Sequence, residues 1–299
     1  MIARTARIWT RLYKKYVPEL KDIASKWLKR LLTQATRESS FGVIDNPEEI
    51  PQKFTQILTR MLRESYAQGY WLSHVYVQEV KAAHEGRKYR GRVKLSDISD
   101  DMLRELLELF IEGEDYDGWS EIIPQSAIDW LKDYVPKLAG NLNESVLQRV
   151  QEVISQSLYD GSTLQERMKA LRDSSEELSR MLNSRIESIA RTEITRADTL
   201  GRLTDMKAND DVIGVEFSAI MDDRTTEICS SRHGLVMRLD DPRLPENTPP
   251  CHIRCRSMLL ALTVYDYPDG LLTSHEYDEV PAGNQRAEDI AEVSKILNA

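Results

Sequence analysis

Apolar residues recur at steps of three and four through most of the first two-thirds of the chain, the spacing of helices that bury one face. Leu20, Ile23, Trp27, Leu28, Leu31 and Leu32 predict a helix over 18–35, and a turn follows at Ser39–Gly42. Pro51 suits the first turn of a second long helix. Its stripe is Phe54, Ile57, Leu58, Met61, Leu62 and Tyr66, continued by Tyr70, Trp71 and His74 toward Ala83. The basic stretch 86–97 reads as an exposed linker. A helix then opens at Ser99, with Asp100 and Asp101 in its first turn, and stops at Gly113. Further helices are expected over 124–138 and 143–159, with a short one from Ser162 or Thr163 through Leu171. The longest covers 176–207, where the three-four spacing runs from Leu178 to Met206.

After residue 210 the texture changes. The β-branched stretch 212–220 predicts a strand, 221–257 is rich in turn residues, and 258–265 reads as a buried strand. A last helix is expected over 286–297. The pattern is α+β: a mostly helical N-terminal two-thirds followed by a small β/loop C-terminal module. Four regions are expected: a helical region 1–140 with a basic N-terminal arm, a second helical part 141–210, a β/loop module 211–265 rich in Cys and His, and an acidic tail 266–299.

Composition narrows the class. Of 299 residues, 41% are apolar and 30% charged, enough for a core, while 13 Gly and 11 Pro exclude a collagen-like or wholly disordered chain. No apolar run is long enough to span a membrane, and the N-terminus lacks the apolar core of a signal peptide, so a cytosolic chain is expected. The net charge of −9 argues against wholesale coating of nucleic acid. The charge is uneven, however: residues 1–40 are basic and 264–299 acidic. Contact with phosphates is therefore expected only through the first forty residues.

The chemistry concentrates near the C-terminus. All three cysteines and two of the five histidines fall between Cys229 and Cys255, as C-x3-H, a loop, then C-H-x2-C. Two short-range pairs of thiolate and imidazole donors joined by a loop are how a tetrahedral Zn²⁺ site is assembled. Cys229, His233, Cys251, His252 and Cys255 are five candidates for four positions. Cys251 and His252 are adjacent, and adjacent side chains of extended chain point apart, so one is excluded. Spacing leaves two sets open: Cys229, His233, His252 and Cys255, or Cys229, His233, Cys251 and Cys255. Four protein ligands would make the metal structural and help a small module that can barely supply its own core. The alternative is three reduced, buried thiols.

No recognised catalytic motif is found. P-loop, dinucleotide-binding and nucleophile-elbow patterns are absent. The zinc deaminase signature fails in both halves, since Gly234 and Leu235 follow His233 and three residues separate Cys251 from Cys255. Asp223 is a candidate to orient a metal-bound histidine, with a plain Asx-turn as the simpler reading. Arg191-Thr192-Glu193 reads as a helix-surface ion-pairing segment.

Three ordered blocks carry a resemblance. Gly161-Ser162-Thr163-Leu164 followed by Ile189-Ala190-Arg191-Thr192-Glu193 resembles the central helices of the Mu F-like minor head (head morphogenesis) proteins of tailed phages. Asp222-Asp223-Arg224-Thr225-x3-Cys229-x3-His233-Gly234 resembles that family's next block, and Pro249-Pro250-Cys251-His252-Ile253-Arg254-Cys255-Arg256 its closing block. The resemblance covers roughly residues 145–262 and makes 141–210 the helical part of a Mu F-like domain. Ser257 departs from the family pattern, which usually has a cysteine there. The resemblance implies Cys229, His233, His252 and Cys255 as ligands of a structural Zn²⁺, with Cys251 an extra thiol beside them.

It also implies a minor capsid protein of the virion, lying in the phage head interior and present in the host cytoplasm during procapsid assembly. The portal protein is its expected partner, with scaffold or major capsid protein and packaged or ejected DNA as further contacts. No catalytic residues are expected. Two alternatives remain. One is a nuclease or ADP-ribosyl-transfer enzyme using Glu193, Asp223 and His252. The other is a zinc-containing DNA-binding module using Arg224, Arg232, Arg238, Arg254 and Arg256, unless these arginines simply brace the loop against Asp240 and Asp241.

Overall fold

The computed structural model describes residues 2–38, 49–86, 125–160, 162–268, 283, 285 and 287–298. The expected turn at 39–42, nearly all of the basic linker, the helix at 99–113 and half of the acidic tail lie outside these residues. The elements in chain order are α1 (Ile2–Glu38), α2 (Gln52–His84), α3 (Gln125–Tyr159), α4 (Leu164–Ala208), β1 (Val212–Ser218), α5 (Glu227–Ser230), β2 (Val236–Arg238), a 3-10 turn (Pro245–Asn247), β3 (Met258–Thr263) and α6 (Ala287–Asn298). The chain is mostly helical, with a three-stranded antiparallel sheet near the C-terminus. Among the described residues no helix is long and apolar enough to cross a membrane.

Three helices are longer than their sequence signals. α1 begins at Ile2 rather than 18 and carries Pro18 inside it; α3 joins two expected helices and carries Pro136. A proline removes one intrahelical hydrogen bond and crowds the carbonyl one turn back. Both prolines are exposed, as are Lys14 and Lys132 one turn back, so water can reach the released carbonyls. Between Leu138 and Val146 the buried residues Leu138, Ala139 and Leu142 keep helical spacing, and their burial carries α3 past Gly140. α4 joins the expected short helix to the long one across Asp173-Ser174-Ser175, with the Ser174 hydroxyl donating to the Leu171 carbonyl at 3.0 Å. Its start is a capping box. Thr163 N–H donates to Glu166 Oε2 at 2.7 Å, and Glu166 N–H donates to Thr163 Oγ1 at 3.3 Å.

The described residues fall into two compact units. The first comprises Lys14–Arg60 and Ser126–Ala190, and its described regular elements are all helices. Its core includes Leu20, Trp27 and Leu31 of α1, Phe54 and Leu58 of α2, Val146, Val150 and Ile154 of α3, and Leu178, Leu182 and Ile186 of α4. Ion pairs join its helices at the rim: Lys21 with Glu187, Lys53 with Glu19, and Arg149 with Glu177.

The second comprises Met1–Tyr13, Met61–Gln125 and Arg191–Ala299. Here α2 and α4 touch backbone to backbone. A Cβ on Gly69 would lie 2.0 Å from the Asp198 carbonyl oxygen, and one on Gly201 would lie 2.0 Å from that of Tyr66. Only glycine permits this approach at both points. The seam is polar. Arg202 Nε donates to Asp198 Oδ2 at 2.8 Å, both side chains being fully buried, and Arg202 Nη2 donates to Thr5 Oγ1. Burial pushes the Asp198 carboxyl up, opposed by Arg202. The Ser65 hydroxyl donates to the Ile194 carbonyl, and the hydroxyls of Tyr66 and Thr204 lie 2.5 Å apart.

The sheet follows α4 in the order β2-β1-β3. β1 pairs with β3 from Val212 opposite Thr263 to Ser218 opposite Met258, with an irregularity between Val212 and Gly214. β2 pairs with β1 over only three residues, too few to stand out in the sequence, and was not expected. Both expected strands end a little earlier than their apolar runs.

Candidate metal centre

The chain from Ala219 to Ser257 is nearly all turns, so side-chain hydrogen bonds hold its shape. Asp222 forms the first turn: Arg224 N–H donates to Asp222 Oδ1 at 2.9 Å, and Asp222 N–H donates to Thr225 Oγ1 at 2.9 Å. Arg256 grips the same carboxylate with both terminal nitrogens, which holds the Asp222 carboxyl well below its usual range. This bidentate clamp ties the start of the loop to its end. The neighbouring Asp223, the expected orienting carboxylate, is exposed.

α5 then presents Cys229, which is buried. The return comes through the sequence 251–255, where Arg254 adopts the left-handed conformation, φ 62°, and reverses the chain between His252 and Cys255. α4 braces this turn from below. The Thr192 hydroxyl accepts from Arg254 N–H at 2.9 Å, and the Thr195 hydroxyl donates to the Cys255 carbonyl at 2.9 Å. The segment read as an ion-pairing helix surface is therefore partly a platform. Arg191 stacks over the Tyr13 ring at 4.0 Å, and buried Glu193 pairs with Arg196 at 2.9 Å. Sequence reasoning missed Thr195 and the brace role of Thr192. A threonine pair three residues apart on one helix face was the signal that could have found them.

Cys229, His252 and Cys255 converge, their ligand atoms all lying within 4.8 Å of one another. Cys229 Sγ is 3.1 Å from His252 Nε2 and 3.6 Å from Cys255 Sγ. Donors sharing a tetrahedral Zn²⁺ at ordinary bond lengths stand ~3.5–3.8 Å apart, so shifts of a few tenths of an ångström would fit them to the ion. The orientation of the imidazole also fits. His252 Nδ1 lies 2.8 Å from the Ile253 carbonyl, which takes its proton and leaves the Nε2 lone pair toward the sulfurs. The neighbouring Cys229 and His252 and the backbone at Ser257 and Cys251 hold the Cys255 thiol well below its usual range, against the effect of burial. Cys229 is pushed up by sharing its proton with Cys255 and by burial. His252 is raised by the Cys255 sulfur it faces, against the effect of burial.

The two other candidates lie outside this group. His233 is exposed, and its Nδ1 accepts from Ala219 N–H at 3.3 Å. Cys251 is fully buried with Sγ 3.8 Å from the Thr248 carbonyl, and burial pushes its thiol up. The closed four-ligand arrangement drawn from the sequence thus has three of its members together. Asp223 and Glu193, offered with His252 as acid–base groups, are not part of the cluster. The arginines around the cysteines make local contacts. Arg224 and Arg256 pair with Asp222, Arg238 pairs with Asp240, and Arg232 bonds Asn247 and the Ile228 carbonyl. Asp241 pairs with Arg243 instead.

A long helix bracing a turn-rich module, with two thiols and an imidazole drawn together at the reversal of the chain, describes an α+β protein with a knuckle-type cluster able to hold a soft metal ion. Residues 148–260 match the family model described as phage Mu protein F like protein. The match begins in α3, takes in α4 and the whole Cys/His module, and ends in β3. The chain therefore carries a Mu F-like segment, and that family is one of phage head morphogenesis proteins. No curated protein and no solved structure matches the chain.

Proposed function

We propose that this chain is a minor capsid protein of a tailed phage that acts in head morphogenesis by associating with the portal, and that Cys229, His252 and Cys255 hold a structural Zn²⁺. The family match over 148–260 carries the reading, because it spans both the bracing helix and the cluster. In this role the protein needs a rigid, folded module rather than turnover. Zinc would supply cross-linking: three donors from two turns tied to one ion replace apolar core that the turn-rich stretch lacks. α1 supplies the candidate surface for DNA, with Lys14, Lys26 and Lys29 exposed beside its buried stripe.

The test is assembly. The protein is produced together with the portal, scaffold and major capsid proteins of the phage that encodes it, and the particles are separated by sedimentation. The expected result is co-sedimentation with procapsids and retention on the isolated portal ring, both reduced by Cys229→Ser with Cys255→Ser. Procapsids of normal composition that never retain the protein would overturn the reading.

A further inference from the structure

Among the described residues three strong donors make up the cluster, and a tetrahedral ion takes four. The surrounding side chains decide what could complete it. His233 is committed to the Ala219 amide, and the Cys251 sulfur sits at the Thr248 carbonyl. Ser257 is different. It is buried and lies two residues past Cys255 in the stretch that enters β3. Residues two apart in extended chain face the same side, so Ser257 borders the cluster while Arg256 turns away to Asp222. A serine hydroxyl is not among the usual zinc donors and stays protonated at neutral pH. The chain therefore places a weak neighbour where a fourth thiolate would close the site.

We infer that this chain holds its metal through Cys229, His252 and Cys255 alone, and that the fourth position, bordered by Ser257, is exchangeable and accepts an added imidazole or thiolate donor. This rests on the metal reading above but changes its character. The ion still cross-links the module, yet it is held less tightly than in a closed site and can take a donor from outside the chain.

The test uses the full-length protein, stripped of metal and reloaded with Co²⁺, whose thiolate charge-transfer absorption grows with the number of bound thiolates. The parent is expected to show the intensity of two thiolates, unchanged in Cys251→Ala and His233→Ala. Free imidazole should shift its ligand-field bands. Ser257→Cys should raise the charge-transfer intensity by half, abolish the response to imidazole, and increase the chelator needed to remove the metal by about tenfold or more. A parent signal of three thiolates that falls in Cys251→Ala would overturn the inference. So would a His233→Ala variant that loses metal as readily as His252→Ala. Either result leaves the metal reading intact. A folded parent that takes up no Co²⁺ would overturn both.

Discussion

Replacing Gly201 with alanine probes one of the two close backbone contacts between α2 and α4. The new Cβ would stand 2.0 Å from the Tyr66 carbonyl oxygen, 2.9 Å from its carbon and 3.0 Å from Tyr70 N, all backbone atoms of α2. Normal carbon–oxygen contact needs roughly 3.2 Å or more, so the helices must part by about an ångström, and a gap of that size forfeits a quarter to a half of each dispersion contact along the crossing. Overpacking of this kind costs about 1–3 kcal/mol. The Ser65–Ile194 and Tyr66–Thr204 hydrogen bonds span the same seam, and losing them adds about 1 kcal/mol each. Alanine returns about 1 kcal/mol of helix propensity. The net expectation is a loss of about 2–4 kcal/mol. Gly140→Ala is the control. Gly140 lies within α3, and its new Cβ would meet nothing within 4 Å, so the same chemical change should stabilise by about 0.5–1 kcal/mol. Urea unfolding followed by circular dichroism on the parent and both variants reads the two signs. A Gly201→Ala protein as stable as the parent would refute the backbone-contact argument.

Three further outcomes follow from other contacts. His74 Nδ1 lies 3.0 Å from Asp205 Oδ1, and that hydrogen bond raises the imidazole above its usual value against the effect of burial. A raised folded-state value means that the pair's stabilisation is complete below about pH 6.5 and fades as pH rises through the folded value. The stability gap between the parent and His74→Gln should therefore narrow from pH 5.5 to pH 8.5 in urea titrations, and a gap independent of pH would contradict it. Thr163→Ala removes one half of the capping box and should cost about 1 kcal/mol in the same assay, with little further loss when Glu166→Ala is added. Thr195→Val strips the hydroxyl from the buried Cys255 carbonyl and should cost about 1–3 kcal/mol while loosening Zn²⁺ binding; unchanged metal affinity would show that the brace from α4 does not hold the cluster.

The helical stripes were legible because burial on one face leaves a period in the chain. Phe54, Leu58, Met61 and Leu62 are buried where that period puts them, as are Leu178, Leu182 and Ile186. The helix ends were less legible. Pro18, Pro136 and Ser174 are local signals for a stop, and the packing of neighbouring stripes overrides them. The short strand β2 left no trace, since three residues carry no usable period.

At the candidate site, the residue types and their clustering are sequence properties, and a soft-metal reading follows from them directly. The departure at Ser257 is also a matter of sequence alone. Which donors meet is not, because ligand distance depends on how two turns are folded back on each other. Arg254 in the left-handed conformation, the Asp222–Arg256 clamp and the hydroxyls of Thr192 and Thr195 set that geometry. They bring His252 to Cys229, leave His233 exposed at the Ala219 amide, and seat Cys251 in the interior. The sequence by itself therefore determined the helical majority, the compact Cys/His module and its chemistry. Only the tertiary structure chose the three donors, because that choice rests on contacts between residues as far apart as Thr195 and Cys255, which no local period or spacing encodes.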